Sequence, residues 1–130
     1  MLTLPPSVRI YLASGVTDLR KSFDGLSGLV RTILFEDPTS GHLFVFCNRR
    51  HDRLKVLYFD GSGLWVFAKR LEKGTFNWPA LNNTNVPEIR MTQSELAALL
   101  DGLDIHVVRR RRRFSAKSHQ KKHLSIARST

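Results

Sequence analysis

Basic side chains gather at one predicted hairpin and on the strand that follows it: Arg49, Arg50, Arg53, Lys55, Lys69 and Arg70, with Lys73 just beyond them. If these strands pair in antiparallel order, their ends approach and Lys55 and Lys69 share one neighbourhood at a basic edge beside aromatic residues. Cationic groups bind phosphates and aromatic rings stack on bases. With Arg20 and Lys21, this set is our candidate nucleic-acid contact. The competing interpretation is a solvated basic hairpin on a sheet whose aromatic residues are core.

A second basic group lies near the C-terminus. The chain has 130 residues, 21 Lys+Arg, 11 Asp+Glu and a net charge of +10, and residues 108–130 hold nine of those basic residues and no acidic one. Adjacent arginines repel each other unless a polyanion neutralises them, and neutralised phosphates release counterions. We therefore expect non-specific nucleic-acid contact from this tail, or else a tail that is only solubilising or vestigial. The run consists of Arg109, Arg110, Arg111, Arg112 and Arg113.

The sequence lacks the signatures of most enzyme and metal-binding classes. Its histidines and single Cys47 show no CxxC pattern and no paired histidines on a predicted core helix. No nucleophile elbow or phosphate-binding loop is present. We expect no catalytic residue, no metal site and no cofactor. A small metal-dependent nuclease that uses Asp18, Asp24 or His42 is the remaining enzyme hypothesis, because such sites need converging carboxylates.

Composition limits the architecture and the compartment. A lone cysteine favours a reducing, cytoplasmic setting. Apolar runs of at most five residues predict no transmembrane helix, and the N-terminus has no signal-peptide pattern. We expect one α+β domain over residues 1–107 and a basic, flexible tail over residues 108–130.

The predicted core of this domain is an antiparallel β-meander over residues 42–78. Its strands are expected at residues 42–48, 53–60 and 63–71, with a tight turn at Gly61-Ser62. Alternation predicts two apolar faces. One would carry Phe44, Phe46, Leu57, Phe59, Trp65 and Phe67, and the other Leu43, Val45, Val56, Tyr58, Leu64 and Val66. Such a sheet must be covered on both sides, by its own helices or by a partner, which makes a homo-oligomer a possibility.

Two helices are expected to pack on this sheet, after a short strand at residues 8–12. The N-terminal helix would be capped by Thr17 or Asp18 and bury a stripe of Leu19, Phe23, Leu26, Val30 and Ile33. The C-terminal helix is marked by the capping-box spacing of Thr92 and Glu95 and by Gly102 near its end.

Four ordered motifs carry a family resemblance. They are VRIYLASGVTDLRKSFDGL at residues 8–26, DPTSGHLFVF at 37–46, DGSGL at 60–64 running into KRLEKGTFNWP at 69–79, and LLDGLD at 99–104. This string resembles the TnpB (second open reading frame) accessory proteins of bacterial insertion sequences of the IS66 family. The resemblance covers about residues 4–105. The tail departs from it, since family members end in a short segment with Trp or Pro and residues 109–130 contain neither.

The resemblance implies a non-catalytic accessory role in DNA transposition. Strand cleavage and joining in such elements belong to a separate, larger DDE-type transposase, so the implied partners are that transposase and DNA, without a membrane. The alternative is a stand-alone nucleic-acid-binding module. Besides the basic residues Arg20, Lys21, Lys69 and Arg70, the matching positions, of unassigned role, are Thr17, Asp18, Phe23, Asp24, Gly25, Gly41, His42, Asp60, Gly61, Gly63 and Trp78.

Overall fold

The computed structural model describes residues 4–79 and 86–102. They form five strands and two helices, which confirms the α+β class. In chain order the elements are β1 (Ile10–Ala13), α1 (Phe23–Thr32), β2 (Leu43–Cys47), β3 (Arg53–Phe59), β4 (Leu64–Arg70), β5 (Glu88–Met91) and α2 (Gln93–Leu100). The tail and residues 1–3, 80–85 and 103–107 of the expected domain lie outside the described residues.

The strands form one mixed sheet in the order β4-β3-β2-β1-β5. Strands β2, β3 and β4 pair antiparallel with their sequence neighbours, β1 pairs parallel with β2, and β5 pairs antiparallel with β1. The sheet is therefore larger than the three strands expected over residues 42–78. The prediction missed β5 because four residues give too short an alternating pattern.

Each face of the sheet carries its own apolar cluster. On one side Leu26 and Val30 of α1 pack with Phe44, Phe46 and Leu57. On the other side the α2 side chains Leu96 and Leu99 pack with residues of β1, β2 and β5. All five residues of β2 are at most 1% exposed, because the strand lies at the centre of the sheet with a cluster on each face. This includes Cys47, whose burial raises the pKa of its thiol to about 12.

The expected faces of β4 are wrong. Tyr58 pairs with Trp65 and Val56 with Phe67, so these two aromatic side chains share the face of α2 and not that of Phe44. Leu64 and Val66 pack on the α1 side instead. The reason is the connection from Phe59 to Leu64, in which odd-numbered residues of β3 pair with even-numbered residues of β4. The prediction instead placed the odd-numbered residues of both strands on one face and the even-numbered residues on the other.

Helix α1 begins later than expected, and its buried stripe is shifted. Its N-cap is Ser22, not Thr17 or Asp18, because Asp18 binds Arg20 instead. Phe23 and Ile33, expected in the core, are 47% and 49% exposed. The buried residues are Leu26, Ser27 and Val30, joined by Leu34 just after the helix.

Helix α2 begins with the expected capping box. The hydroxyl of Thr92 accepts a hydrogen bond from the Glu95 amide at 3.1 Å, and the Thr92 amide donates to Glu95 Oε1 at 2.8 Å. The helix ends before Gly102, whose φ of +79° is a conformation that glycine adopts without strain. Within residues 4–79 and 86–102, neither helix is long and apolar enough to cross a membrane.

Candidate nucleic-acid interface

An open groove of about 1130 Å³ lies beside the carboxyl end of β2. Its walls come from residues 16–20 between β1 and α1, residues 48–50 after β2, residues 53–55 at the start of β3 and residues 68–70 at the end of β4. The β2–β3–β4 pairing brings the last three segments together, because the antiparallel register sets the start of β3 against the end of β4. We call this cavity the basic groove.

The basic groove collects most of the cationic side chains selected from the sequence. Its lining includes Arg20, Arg49, Arg50, Arg53, Lys55, Lys69 and Arg70, and its one acidic lining residue is Asp18. Two motif positions, Thr17 and Asp18, also line it. Lys21 does not line the groove, and residues 109–113 lie outside the described part of the chain.

Asn48 builds the turn that presents Arg49 and Arg50. Its side-chain oxygen accepts hydrogen bonds from the amides of Asp52 and Arg53, both at 3.1 Å, and its Nδ2 donates to Asp52 Oδ1 at 2.8 Å. That last bond lowers the pKa of Asp52. Sequence reasoning did not select Asn48. The signal was available, because an Asn at the start of a turn commonly bonds to nearby backbone.

The arginines of the groove differ in how far they are neutralised. Arg20 pairs with Asp18 at 2.7 Å and Arg70 with Glu72 at 3.1 Å. These are the ion pairs found within residues 4–79 and 86–102. Arg49, Arg50 and Arg53 form none there, although the charges of Arg50 and Arg53 act on Asp52 and help to lower its pKa. Arg53 also lies directly opposite Arg70 in the β3–β4 pair. Like charges in this position repel, and a bound anion would relieve the repulsion.

The two lysines of the groove anchor opposite helices. Lys55 Nζ donates to the Lys21 carbonyl just before α1, at 3.0 Å. Lys69 Nζ donates to the Leu100 carbonyl at the end of α2, at 2.6 Å, where a cation also suits the helix dipole. The lysines line one groove as expected, but alternation sends their side chains to opposite faces of the sheet, since Lys55 pairs with Ala68 and Lys69 with Leu54.

Asp18 and Thr17 hold the loop that forms the remaining wall. Both Asp18 carboxylate oxygens accept hydrogen bonds from the Arg20 guanidinium, and the Arg20 amide adds another, which keeps the pKa of Asp18 well below its usual range. The Thr17 amide donates to the Cys47 carbonyl at 2.9 Å, at the end of β2. The loop is thus fixed to the central strand, and Asp18 is a partner of Arg20.

Several motif positions have structural roles away from the groove. His42 accepts a hydrogen bond from the Arg9 amide at 2.9 Å at the opposite end of β2. Gly25 lies so close to Lys21 that a Cβ added there would be 2.9 Å from Lys21 Cβ, which explains glycine at this position. Trp78 packs against the α2-side cluster, and Gly41 precedes β2 with a φ of +89°. Phe23 and Asp24 form the exposed first turn of α1.

Asp60 organises the hairpin between β3 and β4. Its Oδ1 accepts hydrogen bonds from the amides of Ser62 and Gly63, and its Oδ2 accepts one from Trp65 Nε1 at 2.7 Å. These bonds hold the pKa of Asp60 well below its usual range, the bond from Trp65 contributing most. Gly61 takes a φ of +104° in this turn. The hairpin is a rigid element at the far end of β4 from the basic groove.

The residues of the nuclease hypothesis do not come together. Asp18 lies beside the carboxyl end of β2 and His42 precedes its other end. Within the described residues, no group of three or more His, Cys, Asp or Glu side chains is placed to hold a metal ion.

Comparison with known proteins places the chain in a family. The model of the family described as "IS66 Orf2 like protein" matches residues 8–110. Two uncharacterized proteins of Sinorhizobium fredii, y4hO and y4jC, are each 38% identical over 104 residues, which is 80% of this chain and 88% and 86% of those proteins. No solved structure matches significantly. The matched segment contains both helices, all five strands and the whole basic groove. The chain belongs to the IS66 Orf2-like family.

Proposed function

We propose that this protein is a non-catalytic accessory factor for the transposition of an IS66-type insertion sequence in the bacterial cytoplasm. It acts beside a separate DDE-type transposase and contacts DNA through the basic groove. The observation that carries the DNA contact is the convergence of seven cationic side chains around one groove with a single acidic lining residue. Residues 16–20, distant in sequence from the β2–β3–β4 strands, complete this arrangement, and a merely solvated basic hairpin would not require them.

The charge distribution within the groove favours phosphate as its ligand. Arg49, Arg50 and Arg53 form no ion pair within the described residues, so phosphate oxygens would not have to displace a carboxylate from them. Guanidinium groups bind phosphates in a bidentate way and without regard to base sequence. We therefore expect binding that weakens steeply with salt, because each neutralised phosphate releases counterions. Under the same proposal, residues 108–130 act as a separate basic tail that adds non-specific affinity.

A second surface supports contact with the transposase. Phe35 is 78% exposed and has a φ of +54°, a strained conformation for a bulky residue. Ile33, two residues earlier, is 49% exposed, and the carboxyl group of Glu36, the residue after Phe35, interacts with that of Glu88. Large exposed aromatic residues are frequent anchors of protein interfaces. We propose that Phe35 enters an apolar pocket with a basic rim on the transposase. A second copy of this chain is the competing occupant.

The DNA contact is tested with neutral variants of the full-length protein. The double variant Arg49→Gln, Arg50→Gln should bind a DNA duplex more weakly, and the slope of log affinity against log salt should fall by about 2. The matched control is Arg31→Gln, Lys73→Gln, which removes two exposed charges outside the groove lining. Equal affinity and slope in the two double variants would contradict the role of the groove.

The accessory role is tested in cells with a marked element and its transposase. Transposition frequency should fall when this protein is deleted and should be restored by the control variant but not by the groove variant. A frequency that does not depend on this protein would overturn the accessory role. If the groove variant loses DNA binding but restores transposition fully, the accessory role does not use the groove. The alternative of a stand-alone nucleic-acid-binding module is favoured if the groove variant loses DNA binding and transposition does not depend on the protein.

A further inference from the structure

An aromatic pair is exposed on the edge strand β4. The rings of Trp65 and Phe67 are stacked with a centroid distance of 5.9 Å and an interplanar angle of 6°. Tyr58 lies opposite Trp65 on β3, so three aromatic side chains share this side of the sheet. Tyr58 and Phe67 also pack against the α2-side cluster, whereas Trp65 is 50% exposed. Trp65 is thus the outer member of the group.

The ring of Trp65 has one covered face and one open face. Phe67, two residues later on the strand, covers the first. Two residues earlier, where the next side chain on that side of the strand would lie, the chain has Gly63. A Cβ added to Gly63 would have no neighbour within 4 Å. No side chain at position 63 therefore covers the indole, which agrees with its 50% exposure.

The hairpin holds this ring in place before anything binds. Trp65 Nε1 donates to Asp60 Oδ2 at 2.7 Å, and Asp60 is itself fixed by the amides of Ser62 and Gly63 at 2.8 and 2.9 Å. The carboxylate meets the edge of the indole, so the ring face stays free. A side chain that is already ordered loses little conformational entropy when a ligand stacks on it.

The same strand leads from this ring to the basic groove. Lys69 follows Trp65 by four residues, which is roughly 13 Å along an extended strand. Lys69 lines the groove and lies on the same face of the sheet as Trp65, whereas Arg70, Arg53 and Lys55 lie on the other face. Strand β4 is the edge of the sheet, so a bound strand can pass around this edge without meeting a further strand. A nucleic-acid strand with phosphates in the groove can therefore place a base near the indole. In a duplex the bases are paired and stacked, and only an unpaired base offers its face.

We propose that Trp65 is a stacking site for an unpaired base of single-stranded DNA whose backbone lies in the basic groove. This inference rests on the proposed DNA contact and specifies its form. The flat ring accepts any base, so the site favours single strands without favouring a sequence. The protein thereby prefers DNA with exposed single strands over intact duplex.

The test compares the full-length protein and its variants on a 20-nucleotide oligo-dT and on a 20-base-pair duplex. In Trp65→Leu, affinity for oligo-dT should fall about 5- to 150-fold, the range found when one stacking aromatic is removed. Duplex affinity should stay within twofold of the original. Trp65→Phe should restore most of the single-strand affinity. Phe23→Leu is the control for loss of an exposed aromatic elsewhere. Oligo-dT should quench tryptophan fluorescence in a Trp78→Phe background.

The outcomes separate this inference from the proposed function. Equal losses on both DNA forms, or no loss on either, overturn the stacking site. If Trp65→Leu has no effect while the Arg49, Arg50 double variant loses DNA affinity, the groove stands and the stacking site fails. If neither variant changes DNA binding, both fail. Loss of transposase binding by Trp65→Leu with unchanged DNA binding makes Trp65 a protein contact and also overturns the inference.

Discussion

Arg53 and Arg70 are direct cross-strand partners in the β3–β4 pair, and they lie on the wall of the basic groove. Arg70 shares its charge with Glu72, whereas Arg53 has no ion-pair partner in the described residues. Directly opposed like charges destabilise an antiparallel pair, so this position lowers the stability of the free protein. An anion bound between the two guanidinium groups attracts both of them, so the pair then contributes favourably to stability. The Arg53–Arg70 pair therefore favours the binding of an anion and lowers the stability of the free protein.

Replacing Arg53 with Thr should therefore stabilise the protein and weaken DNA binding together. We expect a gain of about 0.2–1 kcal/mol in the free energy of unfolding at low salt, because the repulsion is removed and Thr favours a strand. The gain should shrink in 0.5 M salt, where surface charges are screened. Urea denaturation at both salt concentrations and a duplex-binding titration measure the two effects. Lys73→Thr, an exposed cation outside the groove, is the control, and a destabilised Arg53→Thr would contradict the interpretation.

Phe35 is a second residue whose replacement should raise stability and weaken binding. In Phe35→Asn the left-handed backbone is occupied by a residue that tolerates it, so stability should rise by up to about 1 kcal/mol. Association with the transposase should weaken, because the exposed ring is lost. Thermal denaturation and co-purification with the transposase of the same element report the two effects.

The control for Phe35 is Phe23→Asn, which removes a half-exposed ring from the helical first turn of α1. It relieves no backbone strain and should not raise stability. Retention of full transposase binding by Phe35→Asn would remove Phe35 from the interface. A concentration-dependent change in oligomeric state in that variant, with transposase binding retained, would instead assign the surface to a second copy of the chain.

Glu88 predicts an unusual dependence of stability on pH. Burial, then the hydrogen bond with Glu36 and the charge of Glu36, raise its pKa to about 7 from 4.5, against the opposing influence of Arg90. Between these values the folded state binds more protons than the unfolded state. The contribution of Glu88 to stability is therefore fully present below pH 4.5 and is lost as the pH rises towards 7.

The variant Glu88→Gln should remove the loss of stability that accompanies the rise in pH. Its amide keeps a donor towards Glu36 at every pH, so the free energy of unfolding should change less between pH 5 and 8 than it does in the original protein. The measurement is urea denaturation across this range. Glu72→Gln, which changes a carboxylate that is 79% exposed, should keep the original pH dependence. A parallel pH dependence in Glu88→Gln would show that another group is responsible.

The sequence was most informative where a signal is local. The capping box of Thr92 and Glu95 depends on residues three apart, and both of its hydrogen bonds are present. The strands β2, β3 and β4 lie within a residue of their predicted bounds, because long apolar runs between turn residues define them. The gathering of basic residues at the β2–β3 turn and the end of β4 also follows from antiparallel order, which the sequence suggested.

What the sequence could not supply depends on long-range packing. The exposure of Phe23 and Ile33 depends on how α1 packs on the sheet, where Leu26 and Val30 take the buried positions. The pairing of β1 beside β2 brings residues 16–20 to the groove, and neither residue spacing nor composition predicts this neighbour. The side chains of Lys55 and Lys69 point to opposite faces of the sheet, and predicting this requires the cross-strand register.

The complete burial of β2 determines which part of the molecule opens last. Amide groups of a strand that is paired on both sides and at most 1% exposed exchange with solvent only through large-scale unfolding. The four-residue edge strand β5 can exchange through local opening that leaves β2 paired with β3. The turn at residues 48–50 continues directly from β2, and the loop at Thr17 is bonded to its last residue. Hydrogen exchange should therefore be slowest in β2, directly beneath the basic groove. Local opening of β5, at the opposite edge of the sheet, leaves the walls of the groove in place.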